Sequence, residues 1–201
     1  MQTINLFSEY DSATLFDKIQ REAAREINQW PETYFAAGHL EDYLNALKDR
    51  FYPRLPEIDL HNGIELMKEK VCLLSDLQPG AKPGVHVRVN VLVYEYSFKG
   101  ELYLLGCHPS QLVPESAGVC FVDRAKHVIV IEYTGFDKSP RQIINVHREY
   151  LSALTACYAA LKIEFEAFEN TFSAFLGSAA ESRSKEIDHR RRLLSTMQLM
   201  R

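Results

Sequence analysis

Val85-His86-Val87-Arg88-Val89-Asn90-Val91-Leu92-Val93-Tyr94-Glu95-Tyr96 is the stretch that decides the fold. Valine falls on every second residue. A strand sends successive side chains to opposite faces, so one face is β-branched from Val85 to Val93. The other face changes character: His86, Arg88 and Asn90 suit water, whereas Leu92, Tyr94 and Tyr96 suit burial. The pattern predicts a strand over 85–97 whose far half is covered on both sides.

Downstream, Phe98-Lys99-Gly100 reads as a tight turn into a second strand over 101–107. Pro109 and Pro114 bracket a loop, and 118–122 and 127–133 read as a hairpin around Asp123-Arg124-Ala125-Lys126. Together these predict an antiparallel meander of four to five strands. Upstream, the Pro- and Gly-rich run from Gln78 to Gly84 is a turn-forming break. Ile64 to Leu74 reads equally well as a short helix or a strand.

Helical patterns flank this β region. Asp11 and Ser12 are good caps, and Leu15, Ile19, Ala23 and Ile27 follow at four-residue spacing. Pro31, after Trp30, stops that helix, predicted over 12–29. Leu40, Tyr43, Leu44, Leu47 and Phe51 mark a second helix over 39–51, with Glu41 and Asp42 in its first turn, where carboxylates suit the helix dipole. Ser139 before Pro140 opens a third, with neither Gly nor Pro until Gly177. In this predicted helix, 140–176, Tyr150, Leu154, Cys157, Leu161, Phe165, Phe168, Phe172 and Phe175 recur every three or four residues. The α–β–α order predicts an α+β domain over 1–177, its antiparallel sheet flanked by N-terminal helices and the long C-terminal one. A basic amphipathic extension over 178–201, with Ile187, Leu194 and Met197, completes the chain.

Of 201 residues, 46% are apolar and 11% aromatic, enough core to exclude disorder. The longest low-polarity stretch, Leu151 to Leu161, falls short of the ~18–20 residues a bilayer requires, so no membrane association is expected. The first ten residues have no basic segment followed by an apolar one, so no secretory signal is read there. Cys72, Cys107, Cys120 and Cys157 lie far apart in apolar surroundings and read as reduced thiols of a cytoplasmic protein. The net charge of −4 argues against a nucleic-acid binder without excluding one. From 181 to 201 there are six basic and three acidic residues, and the rest of the chain carries −7, so the C-terminal element is charged oppositely to the body.

The search for reaction chemistry returns little. There is no P-loop, no G-x-S-x-G, no H-E-x-x-H and no C-x-x-C, so no cofactor or metal site is predicted. Cys107 and His108 are neighbours on a predicted strand and would point to opposite faces. Asp123 and Glu132-Tyr133-Thr134 resemble the D…(D/E)-x-K of metal-dependent nucleases, with Thr134 where the Lys would stand. A solvated turn Asp and an exposed strand Glu account for the same letters. Arg183…His189 and Arg141…His147 fit the R-x(4–6)-H of HEPN ribonucleases. About one to two such spacings arise by chance in a chain this rich in Arg and His. A five-residue gap also sets the two ends on different faces of a straight helix.

Two features point to partners instead. A helix over 140–176, at about 1.5 Å per residue, outreaches a small sheet. Its Phe165/Phe168/Phe172/Phe175 stripe is then core or a partner-binding face. Arg190-Arg191-Arg192 is a candidate contact for an acidic partner or phosphate, or a solvated helix end.

The layout resembles the α+β N-terminal domains that precede TIR or nuclease effectors in bacterial antiphage-defence proteins. The resemblance is carried by Leu44-x-x-Leu47…Phe51 with Leu55-Pro56-Glu57-Ile58, Pro83-Gly84-Val85-His86-Val87, Phe98-Lys99-Gly100-Glu101-Leu102, His108-Pro109-Ser110, Phe168-Glu169-Asn170 and Ile187-Asp188-His189-Arg190-Arg191. It implies a sensor, docking or oligomerisation unit, with an effector following the last basic helix. No effector active site lies within these residues, so it carries over no catalytic residue.

The expected function is therefore a non-catalytic sensor, regulatory or interaction domain, a homo-oligomer or partner-docking unit acting through its C-terminal helices. The partner-binding candidates are Phe165, Phe168, Phe172, Phe175, Arg190, Arg191 and Arg192. The alternative is a nucleic-acid-processing enzyme using Arg183/His189 or Asp123/Glu132. A third reading, a small-ligand sensor, places a pocket near Tyr94, Tyr96 and Tyr103.

Overall fold

The computed structural model describes residues 2–35, 38–77, 79–115, 117–135 and 139–199. Gln78, at the start of the predicted turn, and Met200 and Arg201, at the end of the predicted extension, lie outside them. In chain order the elements are β1 (Gln2–Thr3), β2 (Tyr10–Asp11), α1 (Ser12–Gln29), α2 (Leu40–Phe51), β3 (Glu57–Ile58), β4 (Ile64–Leu73), α3 (Leu74–Leu77), β5 (His86–Lys99), β6 (Cys107–His108), β7 (Val119–Asp123), β8 (Val128–Thr134) and α4 (Pro140–Leu199). Short 3₁₀ turns occupy Glu32–Phe35 and Leu102–Gly106. The fold is α+β with an antiparallel main sheet and a long C-terminal helix. Among the described residues no helix is long and apolar enough to cross a membrane. Contacts divide the chain into two compact units: Met1–Asp11 with Arg54–Lys162, and Ser12–Pro53 with Ile163–Arg201.

The first unit is built on β5. One side of this strand pairs with β8 from Val91 to Ser97, and β7 and then β1 continue the sheet beyond. The other side pairs with β4 from His86 to Glu95 and with β3 at Phe98 and Lys99. Every residue from Val91 to Tyr96 is buried, as the change of character along the second face predicts. Val91 and Val93 cluster with Phe121 and Val130 on one face. Leu92, Tyr94 and Tyr96 lie opposite Tyr133, Ile131 and Ile129 on the other.

One expectation changes in this unit, and one ambiguity is resolved. The segment 101–107 is not a strand but a 3₁₀ turn running into the two-residue β6, which pairs in parallel with β2. Leu104 and Leu105 are consecutive and both fully buried. A strand with one open face cannot bury neighbouring side chains alike, and a tight turn can. The ambiguous Ile64 stretch is a strand, paired with β5 along its full ten residues. The four cysteines are free, with Cys107, Cys120 and Cys157 buried and Cys72 half-buried.

The second unit is helical. Ile19, Ala23, Ile27 and Trp30 of α1 and its end pack with Leu47 of α2 and with Phe168, Phe172, Leu176 and Ala180 of α4. The Phe16 ring lies parallel to Phe168 at 4.1 Å between centroids. Buried Ser12 donates its hydroxyl to Glu164, and Lys48 pairs with Glu169 at 3.3 Å. α4 runs through Gly177 without the expected break. A glycine inside a helix costs only about 1 kcal/mol. Leu176 and Ala180, both buried, supply packing on either side of it.

Candidate functional site

In the first unit, the polar chemistry inside the protein gathers at His147. This α4 residue is 3% exposed and faces the aromatic half of β5. Its Nε2 lies 2.7 Å from Tyr96 Oη and its Nδ1 3.0 Å from Tyr133 Oη. The imidazole also lies flat on Tyr94, 3.5 Å between centroids at 7°. Desolvation lowers the His147 pKa from its ordinary 6.5 to about 4, so the ring is neutral. A neutral imidazole has one donor and one acceptor nitrogen, so one tyrosine hydroxyl donates a hydrogen bond to the ring and the other accepts one from it. Burial also pushes the Tyr96 phenol up to about 12. Every polar atom here has a partner, and Gly63 closes over Tyr96 so tightly that an added methyl would overlap its ring. The site orders helix on sheet, with His147, Tyr94, Tyr96 and Tyr133 all buried. The Arg141…His147 spacing does not assemble a pair, because Arg141 is exposed and His147 is spent on the tyrosines. The geometry does not place the pocket of the small-ligand reading at its tyrosines: Tyr94 and Tyr96 are buried, and Tyr103 is exposed, its carbonyl accepting from Tyr10 at 2.6 Å.

The nuclease candidates do not converge. Asp123 pairs in register with Val128, while Glu132 pairs with Val119, four residues away along the ladder. At about 3.4 Å per residue that is ~14 Å, too far to share one ion. Asp123 accepts the Ala125 and Lys126 amides at 3.0 and 3.2 Å, a turn-closing role, and Glu132 accepts from Lys70 at 2.6 Å. Arg183 pairs with Glu186 at 3.2 Å, and His189 is exposed. Among the described residues no three His, Cys, Asp or Glu side chains cluster to hold a metal.

The partner-binding candidates fall differently. Phe165, Phe168 and Phe172 are buried and Phe175 half-buried, covered within the second unit by the chain's own helices. The stripe is core, and a partner would have to displace α1 to reach it. Arg190 and Arg191 both donate to Glu32, at 2.6 and 3.1 Å, and hold its carboxyl below the usual range. Arg192 is exposed, and beyond Ile187 so are Leu193, Leu194 and Met197.

Two surfaces of the first unit stand out among the described residues. One is β4, which among the described residues pairs with β5 alone and so forms an edge of the sheet. Ile64, Met67 and Val71 on it are 57%, 60% and 58% exposed. Its Lys68 and Lys70 reach inward along the sheet to Glu95 and Glu132, at 2.8 and 2.6 Å. The other is a cleft of about 770 Å³ at the Lys99 end of the sheet, with Phe98, Lys126, His127, Tyr158 and Lys162 among its walls. Sequence patterns missed both, because one edge of a ladder and one end of a sheet are defined only by register. Comparison with protein-family models, curated proteins and solved structures finds no match to this chain.

Proposed function

We propose that this chain is a non-catalytic regulatory or interaction module that docks an extended segment of another protein along β4. The observation that carries the reading is the ten-residue edge strand with three apolar side chains more than half exposed. An edge offers a row of unpaired amides and carbonyls, and proteins ordinarily blunt or cover one this long. Strand addition supplies main-chain hydrogen bonds, and alternate side chains supply specificity. A role as the sensing or docking part of a cytoplasmic defence-type protein is in keeping with this surface.

Charge favours a different chain over a second copy. Antiparallel two-fold pairing keeps each face on its own side, so residues of equal parity meet. Each register that uses most of the strand, centred on Met67, Lys68, Glu69 or Lys70, then opposes like charges; centring on Glu69, for example, also sets Lys68 against Lys70. Glu65, Met67, Glu69 and Val71 share one face, so the complementary segment alternates basic and apolar residues at every second position. A synthetic ten-residue peptide of that pattern, labelled for anisotropy, is expected to bind and to slow amide exchange across β4. Its proline-interrupted version is expected not to. Equal binding of both peptides, or exchange protection elsewhere than β4, overturns the reading, and so does dimerisation through β4 in light scattering. Metal-dependent cutting of labelled RNA or DNA that is lost in Glu132→Gln overturns its non-catalytic part.

A further inference from the structure

We infer that the cleft at the Lys99 end of the sheet binds a small phosphomonoester with an apolar or aromatic body. At about 770 Å³ its volume lies in the range of small-molecule sites, roughly 300–1,000 Å³. Its cations come from three separate elements: Lys99 from β5, Lys126 from the β7–β8 turn and Lys162 from α4. None of the three closes an ion pair among the described residues, whereas Lys48, Lys68, Lys70 and Lys185 all do. With the lysines in excess of the lining's carboxylates, an anion seated between the ammonium groups is favoured.

The wall also holds two carboxylates, Glu57 and Asp59, which leave it a net charge of +1, and neither closes an ion pair with the three lysines among the described residues. Asp59 is occupied by the His61 and Asn62 amides and the Asn62 side chain, at 3.0 to 3.2 Å, and its pKa is lowered mainly by that side chain. Glu57 stands opposite Lys99 in register, yet the pair stays open. The rest of the wall suits an organic body. Tyr158 donates its hydroxyl to the Pro56 carbonyl at 2.9 Å, which fixes the ring, and half-buried Ile58 lies beside it in the lining.

The backbone around the cleft carries strain. His127 has φ +54°, a conformation costing most side chains about 1 kcal/mol or more, and it is one of two non-glycine residues held there among the described residues. Its carbonyl accepts the Phe98 amide at 3.1 Å, so the turn holds the imidazole and the neighbouring Lys126 at the cleft.

Phenyl phosphate and inorganic phosphate, titrated against the full chain and followed by amide NMR and calorimetry, test the assignment. Phenyl phosphate is expected to shift Lys99, Lys126, His127 and Lys162, to bind more tightly than inorganic phosphate, and to weaken with added salt. The double variant Lys126→Gln/Lys162→Gln is expected to lose at least tenfold in affinity, and Glu57→Gln to gain severalfold. These side chains are exposed, and an unchanged melting temperature checks that the fold persists. Equal shifts at Lys18 and Lys82, outside the cleft, overturn the site, as does an affinity indifferent to these substitutions. Equal affinity for the two phosphates overturns the organic body. A single-stranded oligonucleotide that outcompetes phenyl phosphate at these residues overturns the small-molecule assignment.

Discussion

His147 with its tyrosines and the lysines of the Lys99 cleft are both polar groups gathered from β5, α4 and the β7–β8 hairpin, and the fold treats them oppositely. The imidazole is buried with a partner on each nitrogen and a ring against its face. Lys99, Lys126 and Lys162 are exposed around a concavity and close no ion pair among the described residues. A satisfied buried group stabilises one arrangement of the chain; unsatisfied charges at a concave surface leave binding energy for something outside it. Substitutions should therefore separate the two regions, with stability lost at the first and affinity at the second.

The largest effect is expected from His147→Ala. It strands two buried hydroxyls and opens a cavity, so urea unfolding should show a loss of about 3–5 kcal/mol. Combining His147→Phe with Tyr96→Phe and Tyr133→Phe removes the donors and acceptors together and should recover much of that loss. If the single variant loses less than about 1 kcal/mol, the network does not order the unit.

Acid should act on the same group. The unfolded chain binds a proton at His147 near pH 6.5, and the folded one only near pH 4. Between those values the unfolded state holds more protons, so stability falls as pH drops from about 6.5 to 4 and levels off below. The loss is on the order of 3 kcal/mol from this group, set by the width of that window. Unfolding midpoints across this range should fall in the parent protein and flatten at His147 in the triple Phe variant. The phosphate affinity of the cleft should not depend on that triple substitution.

A smaller loss is expected at Gly63. Its added methyl in Gly63→Ala meets the Tyr96 ring, and overpacking of this kind costs about 1–3 kcal/mol. If thermal unfolding shows no loss, Tyr96 has room to move and the network is looser than its distances imply.

What was legible in the sequence follows from what each residue touches. Val85 to Tyr96 announced itself because β-branched alternation has one structural use, and α1 and α2 because caps and prolines act locally. β4 stayed ambiguous: Glu65, Leu66, Met67, Lys68, Glu69 and Lys70 are good helix formers, and an edge exposed on both faces has no alternation to display. His147 was seen only as half of an Arg–His spacing, since its true partners lie 51 and 14 residues away and meet it only once β5 and β8 are in register. The Phe stripe was correctly periodic, but periodicity does not tell whether α1 or another molecule covers it. The cleft gathers Lys99, Lys126 and Lys162 from three elements, which no local pattern can bring together.

The smallest expected change also sets stability against affinity most directly. His127 sits at φ +54° in the turn between β7 and β8, where Asp123 already ties the Ala125 and Lys126 amides. Glycine adopts that backbone without a Cβ penalty, so His127→Gly should raise stability by about 0.5–1 kcal/mol, less the greater freedom it gives the unfolded chain. If the turn serves only to connect two strands, relieving the strain at His127 should leave the cleft's affinity unchanged. If it serves the cleft, the variant that melts higher should bind phenyl phosphate more weakly, with the loss concentrated at Lys126. Asn tolerates positive φ better than most residues and keeps a hydrogen-bonding side chain, so His127→Asn should fall between the two in both measurements. Stability and affinity rising together across the series would show that strain at His127 contributes nothing to the cleft. Opposite trends would mean the strain is retained because it holds the site in shape.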